Sequence, residues 1–282
     1  MNHLITITKS DGTKELFEEE KLVSSLKRVG ANQEAIDRIV DLVEENMREG
    51  MTTADIYRSA LLLLRKHASH VAIRYSLRRA LAELGPDGFP FEKFVARMFQ
   101  SWGYQTLTDQ QVMGACISHE IDVVAWKPGS LSMVEAKFHN EFALKSDVKV
   151  ALYVKARFDD IMLNTFNYGG IEQKLTDKWL ITNTKFTDQA IKYGSCNSLK
   201  MVGWNYPEHD NLHEIINSLK LHPVTCITRL SQNQKRDLVG RGMIVCSDVL
   251  KNPQVLHDIG LNEAEIQGVL VEARAVVNVS DK

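Results

Sequence analysis

Glu120-Ile-Asp-Val-Val-Ala-Trp-Lys-Pro-Gly-Ser-Leu-Ser-Met-Val-Glu-Ala-Lys137 decides how this chain is read. It consists of two short apolar runs joined at Lys127-Pro-Gly-Ser130, the pattern of a β-hairpin. Side chains alternate across a strand, so Glu135 and Lys137 share one face while Val134 and Ala136 point to the other. If Pro128-Gly129 is the turn and Lys127 faces Ser130, counting outward sets Asp122 opposite Glu135 and Glu120 opposite Lys137. Facing residues stand about 4.5–5.5 Å apart at Cβ, close enough for two carboxylates to share one cation. Ile121, Val123, Ala125, Val134 and Ala136 fall on the opposite face as core.

Two acids and an amine on one side of an apolar hairpin suit phosphodiester hydrolysis. A hard cation such as Mg2+ takes oxygen ligands, typically one or two carboxylates with waters and substrate phosphate making up the rest. A lysine beside it can orient the attacking water or meet developing negative charge. A Glu and a Lys two apart on a strand also form an ordinary surface ion pair, so the motif gains weight only from its setting. That setting is a preceding helix carrying Glu92, then helix, strand, helix and strand after the hairpin. Glu92 in a first helical turn is favoured by the helix dipole as well as by a metal site. His119 and His139 flank the hairpin as substrate contacts or plain strand-end residues.

Asp followed by Glu-x-Lys resembles the PD-(D/E)xK nuclease superfamily. Phe91-Glu92 at a helix start, Gly103-Tyr104 after it, and Ile121-Asp-Val-Val124 are similar to the Mrr-type restriction endonucleases. The resemblance implies a mixed sheet flanked by helices over residues 85–207, acting on DNA with Mg2+ or Mn2+. It implies Asp122 and Glu135 as metal ligands, with Glu92, Asp122, Glu135 and Lys137 as the catalytic set.

The amino end reads as strand, turn, strand and helices: Leu4-Ile-Thr-Ile-Thr8, a turn at Ser10-Asp-Gly12, then Lys14-Glu-Leu-Phe17. Helices are expected over 18–29, stopped by Gly30, over 34–48, over 53–64 with Thr53 as N-cap, and over 69–84 with Val71, Ile73, Tyr75 and Leu77. Lys9-x-Asp11-Gly12, Phe17, Lys21-Leu22, Gly30, Thr53-x-x-Ile56 and Val71-Ala-Ile-Arg-Tyr75 resemble the ATP-cone, a small regulatory αβ domain that binds ATP or dATP. Carried over, Lys9 and Lys21 face phosphate charge, and Glu15 and Thr53 contact the nucleotide. Ser10 stands where that family has a basic residue, and Glu18 adds a negative charge.

Gly85-Pro-Asp-Gly88 punctuates the chain before an amphipathic helix of Phe91, Phe94, Val95, Met98, Phe99 and Trp102, a core stripe at helical spacing. After the hairpin, Ser146 or Asp147 caps a helix whose inward side is Val150, Val154, Phe158, Ile161 and Met162. Its Lys145, Lys149, Lys155 and Arg157 read as a solvated basic face or a phosphate-facing one. The loop at residues 182–187 is a candidate DNA contact, and Trp204-Asn-Tyr-Pro207 seals the domain. Residues 208–282 read as helices with Gly240-Arg-Gly242 and Ile259-Gly-Leu261 between them, as helix-hairpin-helix turns are placed. In such turns backbone N–H groups meet phosphates, and Lys235, Arg236, Arg241 and Lys251 would add charge. Packing or oligomerisation is the other reading.

The fold expectation is therefore α/β of the multi-domain α+β kind. It comprises an ATP-cone at 1–84, a restriction-endonuclease-like core at 85–207 and a helical domain at 208–282. Net charge of −2 over 282 residues excludes a uniformly basic nucleic-acid coat. Cys116, Cys196, Cys226 and Cys246 form no CxxC pair, so neither a zinc nor a disulfide framework is expected. The run Ala60-Leu-Leu-Leu-Leu64 ends at Arg65-Lys66, too short to span a bilayer, and a cytoplasmic location follows as expectation. The expected partners are DNA and ATP or dATP, with no membrane, in a homo-oligomer. A catalytically silent, nucleotide-responsive nucleic-acid-binding regulator is the alternative.

Overall fold

The computed structural model describes residues 5–9, 12–28, 31–67, 72, 76–141 and 144–278. The Ser10-Asp11 part of the first turn, the Gly30 stop, and Val71, Ile73 and Tyr75 lie outside the described residues. Near the amino end, β1 (Thr6–Thr8) pairs antiparallel with β2 (Lys14–Leu16), setting Ile7 opposite Glu15. Three helices follow: α1 (Glu19–Arg28), α2 (Gln33–Glu45) and α3 (Thr53–His67). Leu22 and Leu26 of α1 and Ile36, Ile39, Val40 and Val43 of α2 are buried together, as their spacing requires.

Two helix ends differ from expectation. α2 stops at Glu45 rather than near residue 48, where Asn46 Nδ2 donates to Leu42 O at 2.7 Å and satisfies an orphan carbonyl. The cap of α3 is Thr52, with Thr53 the first helical residue. Thr52 Oγ1 accepts from Asp55 N at 3.1 Å, and the Asp55 carboxylate accepts from Thr52 N and Oγ1. This is a reciprocal capping box, which Asp three residues after Thr52 makes legible in hindsight.

α4 (Leu77–Ala82) leads to α5 (Phe89–Ser101), which buries Phe91, Phe94, Val95, Met98 and Phe99. Then come β3 (Gln105–Met113), β4 (Ser118–Lys127), β5 (Ser130–Lys137), β6 (Lys145–Ser146) and α6 (Val148–Ile161). Asp147 caps α6, accepting from the N–H groups of Lys149 and Val150. β7 (Thr165–Tyr168) and β8 (Ile171–Lys174) form a hairpin, followed by β9 (Asp177–Thr182), β10 (Lys185–Phe186), α7 (Asp188–Cys196) and β11 (Lys200–Val202).

The main sheet runs β11-β9-β5-β4-β3, parallel through its first three strands and antiparallel through the rest. Phenylalanines of α5 cover one face; Val154, Phe158 and Ile161 of α6 and Ala190 of α7 cover the other. A mixed sheet between helices, with α/β content as expected, thus holds the hairpin at its centre.

The carboxyl end adds α8 (Leu212–Ser218), α9 (Gln232–Gly240), α10 (Cys246–Lys251), α11 (Gln254–Asp258) and α12 (Glu263–Asn278). Its apolar residues join the cluster of α4 and α5, and Thr225 Oγ1 donates to Ala80 O at 2.5 Å. Gly242 and Gly260 take positive φ of 81° and 85° just past α9 and α11, where a Cβ would strain the stop. Lys235 is buried with its ammonium 3.5 Å from Glu83, and Arg241 pairs with Asp237 at 2.8 Å. Lys235 is therefore a packed ion-pair partner, not a phosphate contact. Among the described residues no helix is long and apolar enough to cross a membrane.

Candidate active site

The hairpin register is the one counted from the turn: Lys127 faces Ser130, and the ladder continues to Val123 facing Val134. It ends there. Above this point β4 stays paired with β3 as far as Met113↔Ser118, while β5 stays paired with β9 as far as Lys137↔Thr182. Glu120 is consequently not laddered to Lys137, and Asp122 lies one step beyond the last backbone pair.

Side-chain chemistry accounts for the break. Asp122 Oδ2 accepts from the Ala136 N–H at 2.6 Å, so a carboxylate takes the donor that a continuing ladder would have given to a backbone carbonyl. On the other side of β4, Asp109 adopts φ 55°, and the Asp109–Asp122 step drops out of the β3–β4 pairing. The strand faces exchange across this irregularity. Val123 and Ala125 lie under α5, as alternation requires, but Ile121 joins Val124 and Trp126 in the cluster under α6. Ile121 is core, though on the side opposite to the one expected.

The acids converge electrostatically. Burial pushes Asp122 up to about 7, with Glu135 and then Glu92 adding repulsion. Glu135 is raised by burial, tempered first by Arg157 and then by Lys137. Glu92, in the first turn of α5, is pushed up to about 7 by burial and by Asp109, Glu120 and Glu135. Lys137 is exposed at the end of β5. Glu92, Asp122, Glu135 and Lys137 are thus brought into one neighbourhood by α5, β4 and β5.

Among the described residues no group of three or more His, Cys, Asp or Glu side chains forms a metal cluster. What the hairpin could offer a hard cation is the carboxylate pair Asp122 and Glu135, with waters and phosphate left to complete the shell. Glu135 adds its repulsion to the burial that raises Asp122, and a divalent cation held between the two acids would relieve it.

A pH dependence follows. Without divalent cation, Asp122 (ordinary value 3.8) and Glu92 (4.5) bind protons more tightly folded than unfolded, so stability should fall as pH rises from about 4 to about 7, then level off. Cation affinity should rise through the same window as those protons are displaced. Thermal denaturation from pH 5 to 8.5, with and without Mg2+, checks both trends. A cation-free curve as steep in a D122N/E92Q double variant as in the wild type would refute the assignment.

Arg157 is the residue that sequence reasoning misplaced. Its side chain, 10% exposed, does not sit on a solvated face: Nη1 ion-pairs with the Glu135 carboxylate and donates to Glu120 O at 3.0 Å. Nη2 donates to the Tyr153 hydroxyl, and the guanidinium lies 4.5 Å from the Tyr153 ring centre. The signal was present, because Val154, Arg157 and Ile161 share the three-and-four spacing that marked the inward side of α6. Lys155, by contrast, pairs with Asp159 one turn along.

The flanking histidines brace the scaffold. His119 Nε2 lies 2.8 Å from Asp160 Oδ2, and that pairing, with the Cys116 and Ile117 N–H groups, holds the Asp160 carboxyl down to about 2. The His139 backbone exchanges bonds with the Asn183 side-chain amide, its N–H donating to Oδ1 at 2.8 Å and its carbonyl accepting from Nδ2 at 2.7 Å, and His139 Nε2 lies 3.0 Å from Ser146 Oγ. Thr182, Asn183 and Thr184 are buried and fix the end of β5, while Lys185 of the same loop is exposed.

In the amino-terminal domain, Glu15, Lys21 and Thr53 line one cavity of roughly 160 Å³ with Phe17, Ile56 and Tyr57. Lys9 reaches its rim through Glu15 at 2.7 Å, while Lys21 is 3.4 Å from Glu15 and 3.0 Å from Glu18. Lys9 holds the Glu15 carboxyl below its ordinary value, and Glu18 raises Lys21. Glu18 enters the cluster as a counter-charge.

Family comparisons agree with this layout. Residues 5–83 match the ATP cone domain, residues 85–205 a restriction endonuclease domain, and residues 222–277 the AF1548-like C-terminal domain. An uncharacterized protein of Archaeoglobus fulgidus is 36% identical over 184 residues, which is 99% of that protein and 65% of this chain. The crystal structure of AF1548, a protein of unknown function, superposes with a TM-score of 0.55 at 35% identity, covering 68% of this chain and 98% of that one. A remoter likeness, TM-score 0.31 at 12% identity, covers 71% of this chain and 54% of Can2 from Sulfobacillus thermosulfidooxidans in complex with cyclic tetra-adenylate. The chain belongs to the AF1548-like family, and within it carries an ATP cone ahead of a restriction-endonuclease domain.

Proposed function

We propose that this protein is a Mg2+- or Mn2+-dependent endonuclease that hydrolyses DNA phosphodiester bonds under the control of ATP or dATP bound at its ATP cone. The observation that carries the reading is the half-buried Asp122–Glu135 pair at the break in the β4–β5 ladder, with Lys137 beside it. A divalent cation there would lower the pKa of a bound water and offset negative charge on the phosphate. Asp122 and Glu135 would hold it. Lys137, exposed at the strand end, would orient the water and donate to phosphate oxygen. Glu92, with its pKa near 7, would exchange a proton with that water close to neutrality.

Lys9 and Lys21 supply the cone's cationic rim, and Glu15 and Thr53 line its cavity. At roughly 160 Å³ the cavity is smaller than the ~300–1,000 Å³ of ordinary ligand sites, so it suits part of a nucleotide, with phosphates lying outside across the two lysines. Assembly into a homo-oligomer belongs to the same proposal, and light scattering with and without nucleotide reads it.

The test is cleavage of a panel of linear, supercoiled, branched and methylated DNA with Mg2+ or Mn2+, each with and without ATP and dATP. Metal-dependent cutting of at least one form is expected. Nucleotide should change the rate about fivefold or more, a coupling typical of linked sites, and K21A should abolish that response. No cutting of any form under any condition would favour the silent regulator.

A further inference from the structure

Arg157 holds more chemistry than an ion pair needs. Its side chain is nine-tenths buried, Nη1 reaches Glu135 and Glu120 O, and Nη2 reaches Tyr153. Among the described residues its Nε is buried with no hydrogen-bond partner. Buried guanidinium donors are ordinarily satisfied, because an unmatched N–H in a low-dielectric site is costly. The arrangement leaves one edge of the fork short of an acceptor beside the carboxylates proposed to hold a cation. That edge, Nε with an Nη, matches two oxygens of a phosphate. Tyr153 provides a platform: its ring centre lies 4.5 Å from Cζ and the residue is 57% exposed, so the guanidinium can slide outward along an aromatic face.

Glu135 is also a shared resource. Its carboxylate is already neutralised by Arg157, and a divalent cation binding the same carboxylate must contend with a unit positive charge in contact with its ligand. We infer that Arg157 competes with the divalent cation for Glu135 and, once displaced from it, grips a phosphate of the bound DNA strand. The inference rests on the reading of Asp122 and Glu135 as cation ligands. It makes the site self-neutralised until cation and nucleic acid arrive together, and it makes Arg157 a substrate-binding residue of the nuclease.

The experiment is calorimetric titration of the full chain with Ca2+, then titration of the Ca2+-loaded protein with a short DNA duplex, for wild type, R157Q, R157K and D122N. R157Q is expected to bind Ca2+ about tenfold more tightly, the scale of removing one charge from within ~4–6 Å of a partly screened site. The same variant should bind DNA about tenfold more weakly, with a salt dependence shallower by about one phosphate contact. R157K keeps the charge but is shorter and lacks the fork that grips Glu135, so it should move both affinities the same way by smaller factors, which covers the case where R157Q does not fold. Opposite signs for cation and DNA are not expected of a merely structural arginine. Unchanged or weaker Ca2+ binding in folded R157Q and R157K would overturn the inference, as would DNA affinity that stays level or rises. The underlying site reading fails separately, by Ca2+ affinity in D122N equal to that of wild type.

Discussion

Lys137→Ala should lower the rate of metal-dependent DNA cleavage by about 10²–10⁴-fold, the usual cost of losing a group that positions water or stabilises transition-state charge. The fold should survive, because the side chain is exposed and what ties Lys137 into the sheet is backbone pairing with Thr182, which truncation leaves intact. Circular dichroism and a thermal midpoint unchanged within a few degrees would document that. Single-turnover rates at saturating metal separate a chemical defect from weaker binding. Wild-type rates in a folded K137A protein would remove Lys137 from the mechanism.

Asp122→Asn should abolish cation binding at the site and cleavage with it, and yet make the protein more stable. Asparagine keeps an oxygen to accept the Ala136 N–H, so the break in the ladder is preserved. What disappears is a half-buried carboxylate whose pKa is raised to about 7, so that holding it ionised at pH 8 costs stability. A gain of about 1–2 kcal/mol at pH 8 without divalent cation is expected, several degrees in thermal midpoint. The gain should shrink as pH falls from 7 toward 4, since wild-type Asp122 then takes up its proton in the folded state. This is the trade-off of a functional site that is strained in isolation. Equal or lower stability of D122N at pH 8 would mean that Asp122 is not the strained group.

The hairpin register was legible because it fixes itself: Pro128-Gly129 sets the turn, and counting outward from it gives the ladder as far as Val123 facing Val134. The side-chain capture at Asp122 was not legible, since nothing in Glu120-Ile-Asp-Val distinguishes a carboxylate that replaces a ladder bond from one facing solvent. That capture also moved Ile121 to the second core. The hairpin of β7 and β8 was missed although Tyr168-Gly-Gly-Ile171 announces a two-residue turn with φ of 64° and 79°. Its flat, half-polar strands carry little alternation beyond Phe166 and Tyr168, which pack on the α6 side of the core. Arg157 was misjudged for a general reason. A charged residue flanking an apolar helical stripe is usually solvated, and only the acids on a distant strand reverse that preference.

The most direct measurement is anomalous diffraction from crystals of the protein soaked in Mn2+. The expected result is an anomalous peak bounded by the carboxylates of Asp122 and Glu135, with the Arg157 guanidinium moved off Glu135. Manganese bound elsewhere, or none near these two acids at saturating concentration, would contradict the metal-dependent nuclease.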